Sequence, residues 1–544
     1  MFPAFFNIQP VGAWTGTVHI KPDGSIDPVT APVNRTGNLY TLTGNISSSG
    51  DGIVIDRGNI ILDGTGFSVQ GAYSYAGIHL YESNNVTIRN MIIKTFYYGI
   101  FARSSSESQI KSNMILNCYH GLWMDLGGHN SVIGNNMTNC FSGIYLRISP
   151  GNLFRNNRMV DNDYNFGIDG YGFTTLINDI DTSNTVDGRP MYYWVSKHNL
   201  AVPLDAGYVG LVNCTRMTVR DLTIHNVGEG VLLAYTRNCT ITNNTILNSW
   251  YGILHIYDSN YNRISGNRLM HNEYGIVLYN TSRYNTIGEN SIGDNHLGVW
   301  LVDSSSNKFY HNSFKHNSHQ VDDYARYEPS VPASINTWDD GYPSGGNYWT
   351  DYNGTDSNHD GIGDTPYVID ANNSDHYPLL VHNIAVFSIA VSKTTVRQGY
   401  AVTINVTVEN QGSYAETCNL TVYANTTAIK TFTGIALNRG GLAKVSFSWN
   451  TTGLTVGRYV ITAYASPVQG ETETADNTLT DGAILVVKPD VNGDGKVNIL
   501  DLIRIATSLG ARPGDPQWNP NADVNCDNII NILDLILVAN TLGT

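Results

Sequence analysis

Positive charge is what this sequence has least of. Its 31 lysines and arginines face 46 aspartates and glutamates, a net charge of −15 over 544 residues, and the isoelectric point lies near 5.3. A nucleic-acid partner requires a basic face to neutralise phosphates, so that class is excluded; an anionic membrane surface is disfavoured on the same ground. Long apolar runs are missing too. No run of about 18 or more apolar residues occurs, so no membrane span is expected. The apolar opening, MFPAFFNIQPVGAW, is short and lacks a basic flank, which leaves it as at most the remnant of an export signal.

Cysteine is scarce as well. Of the six, Cys118 and Cys140 fall in one repeat phase, as do Cys214 and Cys239, while Cys418 and Cys526 stand single. Stacked repeats would set each pair one coil apart, within reach of a disulfide where geometry permits, or leave them as small apolar residues in a buried ladder. No spacing matches a zinc site or a CxxC redox pair. Export is argued instead from fourteen N-x-S/T sequons, at Asn34, Asn45, Asn85, Asn136, Asn213, Asn238, Asn243, Asn280, Asn353, Asn372, Asn405, Asn419, Asn425 and Asn450. They are the glycosylation candidates of an extracellular or cell-surface protein.

What the sequence has in abundance is glycine in phase. Gly77, Gly99, Gly121 and Gly143 lie 22 residues apart, and a second array, Gly210, Gly230, Gly252, Gly275 and Gly298, follows at 20 to 23; Gly52 is an earlier, looser member. Apolar residues alternate after each glycine, as in Ile78 and Leu80 or Leu122 and Met124, which is strand periodicity. An asparagine recurs later in each unit: Asn90, Asn113, Asn135, Asn157, Asn243, Asn267, Asn290 and Asn312. Asparagine tolerates left-handed backbone and bonds its own kind one layer up, so a ladder at a tight corner is expected. Units this short bury no face alone, but stacked they form a continuous core. The expected fold is mainly β, a right-handed parallel β-helix of ten to twelve coils and, at about 4.8 Å per layer, on the order of 50 Å long. It runs over residues 36–382, after an N-terminal segment 1–35.

The array is interrupted at about 163–207, and there the chain resembles the NosD-like, carbohydrate-binding and sugar-hydrolase (CASH) β-helix family, whose members carry a comparable NTVDGRPMYYWV insertion and DAGYVGLVNCT coil. The segment WDDGYPSGGNYWTDYNG at the start of 338–380 resembles the closing segment of archaeal surface members. The resemblance implies fold and exported setting, not a reaction.

Beyond Leu380 the texture changes to alternating runs with turns about every ten residues, the mark of an antiparallel β-sandwich over 383–488. It resembles the CARDB modules of microbial surface proteins and reads as a spacer. Residues 489–544 repeat a loop, DVNGDGKVNILD at 490–501 and DVNCDNIINILD at 523–534. A twelve-residue calcium loop draws oxygens from positions 1, 3, 5, 7, 9 and 12. In the first these are Asp490, Asn492, Asp494, the Lys496 carbonyl, Asn498 through water, and Asp501, with Gly495 at the sharp turn. In the second they are Asp523, Asn525, Asp527, the Ile529 carbonyl, Asn531 and Asp534, with Asn528 replacing glycine. Calcium is the expected cofactor. The duplication and the aspartate at position 12 look like a type I dockerin, a small α-helical module that docks onto a partner protein. Where recognition hydroxyls often lie, this chain has Ile499–Leu500 and Ile532–Leu533, which puts the usual cohesin partner in doubt; these pairs are expected against the sandwich, another copy of the chain or another surface protein. A third cluster, Asp356, Asn358, Asp360, Ile362 and Asp364, has part of the calcium spacing and is either an ion site or a hydrogen-bonded turn.

Catalysis on a solenoid needs carboxyls in phase on neighbouring coils. Asp125 meets Arg103 and Arg147 in the adjoining coils, a charge ladder; Asp258 and Asp303 neighbour each other only across a turn; Asp161, Asp163, Asp169, Asp179 and Asp181 crowd the interruption as turn residues. The pectinase NTD, DD, GHG and RIK motifs are missing, and His120, His255, His271, His311 and His316 share no metal-ligand phase. Tyr98, Tyr251 and Tyr274 each precede a glycine and form either a structural stack or a strip for sugar rings. No catalytic residue is assigned. The expectation is a structural or adhesive surface protein that assembles with itself through exposed terminal coils and its calcium module. The rivals are a dockerin-bearing polysaccharide lyase or glycosidase, and a non-catalytic polysaccharide binder.

Overall fold

The structure, a computed structural model, describes residues 13–494, 496–525, 527–540 and 542. Most of the apolar opening, Gly495 and Cys526 lie outside the described residues. The chain divides into two compact units, one ending at Leu379 and the other beginning at Leu380.

In the first unit a coil contributes three short strands, such as Tyr98–Arg103, Gln109–Lys111 and Met114–Leu116. Strands pair in parallel one coil on, which places Ile78, Ile100, Leu122 and Ile144 in one row. Ile88, Ile110, Val132 and Phe154 make a second, and Ile93, Ile115, Met137 and Met159 a third. All are buried, so three inward rows fill one another as a solenoid core. There are about thirteen turns, more than expected because both ends contribute. Trp14–Thr15 pairs with Ile46–Ser47 and Val18–Ile20 with Ile53–Ile55, so the segment before residue 36 already belongs to the solenoid. At the far end Tyr348 and Trp349 pair with Ser313 and Phe314.

The phased glycines answer to close approach rather than to unusual backbone angles. A Cβ on Gly99 would sit 2.5 Å from the Gly121 carbonyl oxygen and 2.4 Å from Ile115 Cγ2. Gly210 is out of this phase: it pairs with Leu232, two places past Gly230, and a Cβ there would strike the Tyr193 ring.

The asparagine ladder exists with a shift of one place in two coils. Asn113, Asn135 and Asn157 pass side-chain hydrogen bonds upward to Asn184 at 2.8–3.0 Å, and Asn244, Asn267, Asn290 and Asn312 do so up to Asn347 at 2.9 Å. Asn90 and Asn243 are exposed instead, with φ of 54° and 55°. The left-handed residue is the one before the ladder, so one asparagine does not serve both purposes. A parallel ladder runs through Asn262, Asn285, Asn307 and Asn336.

The interruption starts after Asp169 rather than at 163, since Tyr164–Asp169 still pairs in register with Ser142–Arg147. The chain then forms a hairpin, Thr185–Val186 against Arg189–Val195, whose second strand pairs in parallel with Tyr208–Val212. The two runs of coils join where the Gly228 N–H donates to the Phe166 carbonyl and the Asn165 N–H to that of Asn226, each at 2.7 Å. Trp338 stacks on Phe309 and Trp349 on Phe314 at 4.2 and 4.3 Å, closing the last coils with two fully buried indoles. Hairpin strands Ile26–Asp27 and Val33–Thr36 close two sheets at the opposite end. Added strands thus extend individual sheets at each end, while among the described residues the fifteen-stranded sheet runs out at Trp14–Thr15 and His319–Asp323.

In the second unit a three-stranded sheet (384–391, 401–410, 442–450) faces a five-stranded one (395–397, 478–487, 457–465, 416–424, 427–437). Pairing is antiparallel except for Thr395–Arg397, which runs parallel to the last strand. Two helices follow, α1 (Ile499–Ala506) and α2 (Ile532–Ala539). Val487 shares a buried cluster with Ile505, Val524 and Val538, so the last strand of the sandwich ends inside the core of the helical module.

Candidate functional site

The paired loops are built alike. In loop one Asp501 accepts the N–H groups of Asn492 and Asn498 at 3.1 and 2.8 Å, and in loop two Asp534 accepts those of Asn525 and Asn531 at 3.1 and 2.8 Å. Each aspartate thereby closes its loop and serves as the third residue of a capping box on the helix that follows. Asn498 and Asn531 are the N-caps, accepting from Leu500 and Leu533 at 2.8 and 2.7 Å. Each amide oxygen thus accepts the first free N–H of its helix from the ninth place of its loop. Asp523 accepts from Asp527 and Asn528 at 3.1 and 3.0 Å, and Asn528 takes the left-handed place at φ 65°. Burial raises the Asp523 carboxyl, and the neighbouring Asp534 and Asp527 raise it further. Crowded carboxyls with only oxygen donors around them suit a calcium ion.

The third cluster repeats the hydrogen bonds of loop two: Asp356 accepts from Asp360 and Gly361 at 3.1 and 3.0 Å, and Asp360 from Ile362 at 3.0 Å. Asp364 instead binds Ser357, at 2.9 Å to its N–H and 2.7 Å to its hydroxyl. The cluster thus has the hydrogen bonds of loop two at its start and differs from it in having its last carboxylate turned to serine.

The solenoid carries a site that sequence reasoning missed, where its two runs of coils meet. His79, Phe101, Trp123 and Tyr145 occupy one outward row, with Trp123 and Tyr145 stacked at 4.5 Å. The next coil has Gly167 in that row, and the stack ends. From the other side Tyr251, Tyr274 and Trp300 stack at 5.3 and 4.8 Å. Between the two stacks lies a cavity of about 250 Å³, lined by residues that include Asp169 and Glu229. Glu229 accepts a hydrogen bond from the Tyr208 hydroxyl at 2.8 Å and lies 3.3 Å from the Ile168 N–H. Burial pushes its carboxyl up to about 8 against the pull of those bonds. Asp169 is raised by burial too. The available signal was a glutamate before Gly230 where later coils carry Tyr251 and Tyr274, and a glycine in an aromatic row.

The remaining candidates fall elsewhere. Asp125 pairs with Arg147 and Arg103 at 3.4 and 3.6 Å; Asp179 and Asp181 share Arg155 at 2.7 and 3.0 Å; Asp258 pairs with Arg237 and Asp303 with Arg283. Tyr98 stacks on His120 within the first run of coils, in a stack separate from that of Tyr251 and Tyr274. Burial lowers His120 to about 4, which keeps it a neutral ring of that stack. Cys118, Cys140, Cys214 and Cys239 are free buried thiols rather than disulfides; Cys118 and Cys214 donate back to the carbonyls of Leu116 and Val212. None of the fourteen sequon asparagines is buried. The apolar pairs beside the loops do not pack on the sandwich: Ile499 and Leu500 are 62% and 52% exposed, Ile532 and Leu533 61% and 53%.

A parallel β-solenoid with a sandwich and a paired-loop helical module defines a modular class of protein, and no helix among the described residues is long and apolar enough to cross a membrane. The chain belongs to the family described as periplasmic copper-binding protein (NosD), matched over residues 34–188 and 173–354. CARDB matches residues 381–481 and the dockerin type I domain 488–543. Among solved structures, the CARDB domain of a Pyrococcus furiosus protein in complex with di-metal ions is 23% identical, covering 20% of this chain and 97% of that one, with a TM-score of 0.18. A domain of a putative cell surface protein from Methanosarcina acetivorans is 23% identical over 20% and 94%, with a TM-score of 0.17. The A-module of an Azotobacter vinelandii mannuronan C-5 epimerase is 12% identical over 60% and 90%, with a TM-score of 0.21. A search of curated proteins gives no match. Among the described residues no three His, Cys, Asp or Glu side chains gather to hold an ion, in the solenoid or in the paired loops. Copper needs such nitrogen and sulfur ligands, whereas calcium also takes amide and backbone carbonyl oxygens.

Proposed function

We propose that this is an extracellular surface protein of structural or adhesive role, in which a rigid solenoid is displayed by a module that binds two calcium ions and docks onto protein. The observation that carries the reading is the matched outward faces of α1 and α2. Ile499, Leu500 and Ile503 on one helix, and Ile532, Leu533 and Ile536 on the other, are exposed by about half or more while Ile505 and Val538 fill the core. Apolar side chains held outward twice over, each next to a cation loop, suit a protein partner that is met only when the loops are ordered. Accessible sequons and the match to a dockerin, a calcium-binding module for protein–protein attachment, support the same setting. In this reading self-assembly runs through this module, and the partner argued here is a second copy of the chain.

Calorimetric titration of the chelated full chain is expected to give two bound calcium ions, and light scattering to show an oligomer in calcium that EDTA disperses. Leu500→Glu with Leu533→Glu is expected to disperse it without loss of calcium. A chain that binds no calcium overturns the module, and a calcium-loaded monomer overturns self-assembly.

A further inference from the structure

The cavity between the two aromatic stacks belongs to the solenoid and has no part in the docking just described. Tyr145 is stacked on Trp123 and Tyr251 on Tyr274, so each ring has one face covered and the other toward the place where the stacks stop. In the two coils that meet there the aromatic places are taken by Gly167, next to Tyr145, and by Glu229, next to Tyr251. Trp300 and Tyr257 bound the space further along, and Leu254 and Val277 give it buried aliphatic surface. The segment after Asp169 is fastened against it: the Tyr257 hydroxyl donates to the Gly170 carbonyl at 2.6 Å, and Phe173 meets Tyr235 edge-on at 5.5 Å. The result is a box of aromatic rings with two carboxyl groups in its lining.

The charge of this lining is of one sign. Among the described residues that line the cavity there is no lysine, arginine or histidine to set against Asp169 and Glu229. Arg147 lies beside Asp169 in the strand ladder but pairs with Asp125 at 3.4 Å. Burial still raises Asp169 against the Gly170 N–H and Arg147, and burial, Asp169 and Glu229 together raise the Tyr145 phenol. A cation here would relieve a negative field that the protein leaves unneutralised, and the ring faces would add to the attraction. The acceptors decide which cation. A primary ammonium brings three N–H donors, yet Glu229 already receives the Tyr208 hydroxyl and lies 3.3 Å from the Ile168 N–H, and the rest of the lining is mostly aromatic ring or aliphatic side chain. A methylated ammonium spreads its charge over C–H groups and needs no acceptors, which matches apolar walls with a carboxylate at one side. An anion would meet Asp169 unpaired. We propose that this cavity is a binding site for a quaternary ammonium group, held between the rings of Tyr145 and Tyr251 with Asp169 as its counter-charge. Free choline and a trimethylated lysine side chain both carry that group.

The test is made on the full chain by calorimetry and tryptophan fluorescence. Choline and a trimethyllysine peptide are titrated separately, so that a free ion and a modified side chain are told apart as the source of the group; binding of either supports the assignment. No change is expected on adding EDTA, which separates this result from the fate of the calcium module. The uncharged analogue of choline, with tert-butyl in place of trimethylammonium, and the primary amine ethanolamine are each expected to bind about tenfold more weakly than choline. That comparison is made on the unmodified chain and holds whatever the variants do. Tyr251→Leu and Asp169→Asn are each expected to weaken binding about tenfold while the solenoid melts as before, and Tyr251→Phe, which keeps the ring, to bind as the unmodified chain does. Tyr261→Ala, in the exposed Tyr261–Tyr284 stack outside the cavity, is expected to change nothing. Failure of both methylated ammonium ligands, equal affinity for choline and its uncharged analogue, tighter binding of ethanolamine or of neutral oligosaccharides, or unchanged affinity in the Tyr251→Leu and Asp169→Asn variants would overturn the assignment.

Discussion

The regular coils and the coil at the interruption are built from units of nearly one length, yet they treat buried polarity in opposite ways. In the regular coils a buried amide finds its partners in its neighbours: Asn290 donates to the carbonyls of Ile264 and Gly288 and to Asn312, and accepts from Asn267, all at 2.9–3.0 Å. Repetition supplies each ladder asparagine with an acceptor one layer up, so these amides are buried with their hydrogen bonds met. At the interruption the next layer is out of step. Glu229 is buried with the Tyr208 hydroxyl and one N–H as its partners, its carboxyl is pushed up to about 8, and a cavity opens beside it. A solenoid hides polarity cheaply only while it repeats; where it stops, reactive character and space appear together.

Three measurements sharpen this contrast. The largest effect belongs to the ladder: Asn290→Ala strands two backbone carbonyls and two asparagines and is expected to cost about 3–5 kcal/mol in denaturant unfolding. Asn243→Ala, exposed and one place off the ladder, is expected to stay within about 0.5 kcal/mol. Equal losses would show that the ladder does not carry the coils. Next comes close approach. A Cβ on Gly121 would meet the Gly143 carbonyl oxygen at 2.5 Å, whereas one on Gly172 in the interruption has nothing within 4 Å. Gly121→Ala is expected to cost about 2–3 kcal/mol and Gly172→Ala almost nothing; similar melting temperatures for the two would contradict the tight stacking of glycine on glycine.

The smallest effect is the pH dependence of the interrupted coil. Glu229 has its folded pKa raised from 4.5 to about 8, so the unfolded chain loses this proton first as pH rises. Its contribution to stability is complete below about pH 4.5 and is lost progressively up to about pH 8. Asp375, raised by burial to about 6 in the closing segment, acts in the same direction but is spent by then. Between pH 6 and 8 the solenoid is therefore expected to lose about 1–3 kcal/mol, and Glu229→Gln to flatten that interval. An unchanged slope in the variant would place the titrating group elsewhere.

Much of this was readable beforehand, for physical reasons that differ by element. Glycine spacing and alternation are local, so coil length, inward rows and strand register followed directly, as did the two loops with their helices. The ladder was misplaced at Asn243 because Asn244 stands beside it: left-handed corner and buried rung both favour asparagine, and only stacking tells them apart. Gly210 sat at an acceptable spacing, yet its strand pairs through the hairpin and not through the repeat. Cys118 and Cys140 were in phase, but phase brings two thiols near each other without bonding them.

Period, inward apolar rows and two repeated acidic loops lie in the order of residues alone, because each depends on neighbours within one unit. The cavity was decided by tertiary structure, because it forms only when Ile168 and Glu229, 61 residues apart, are brought together by the joining of two runs of coils. No local pattern encodes that meeting, since the intervening hairpin can be read as an insertion but not as a wall.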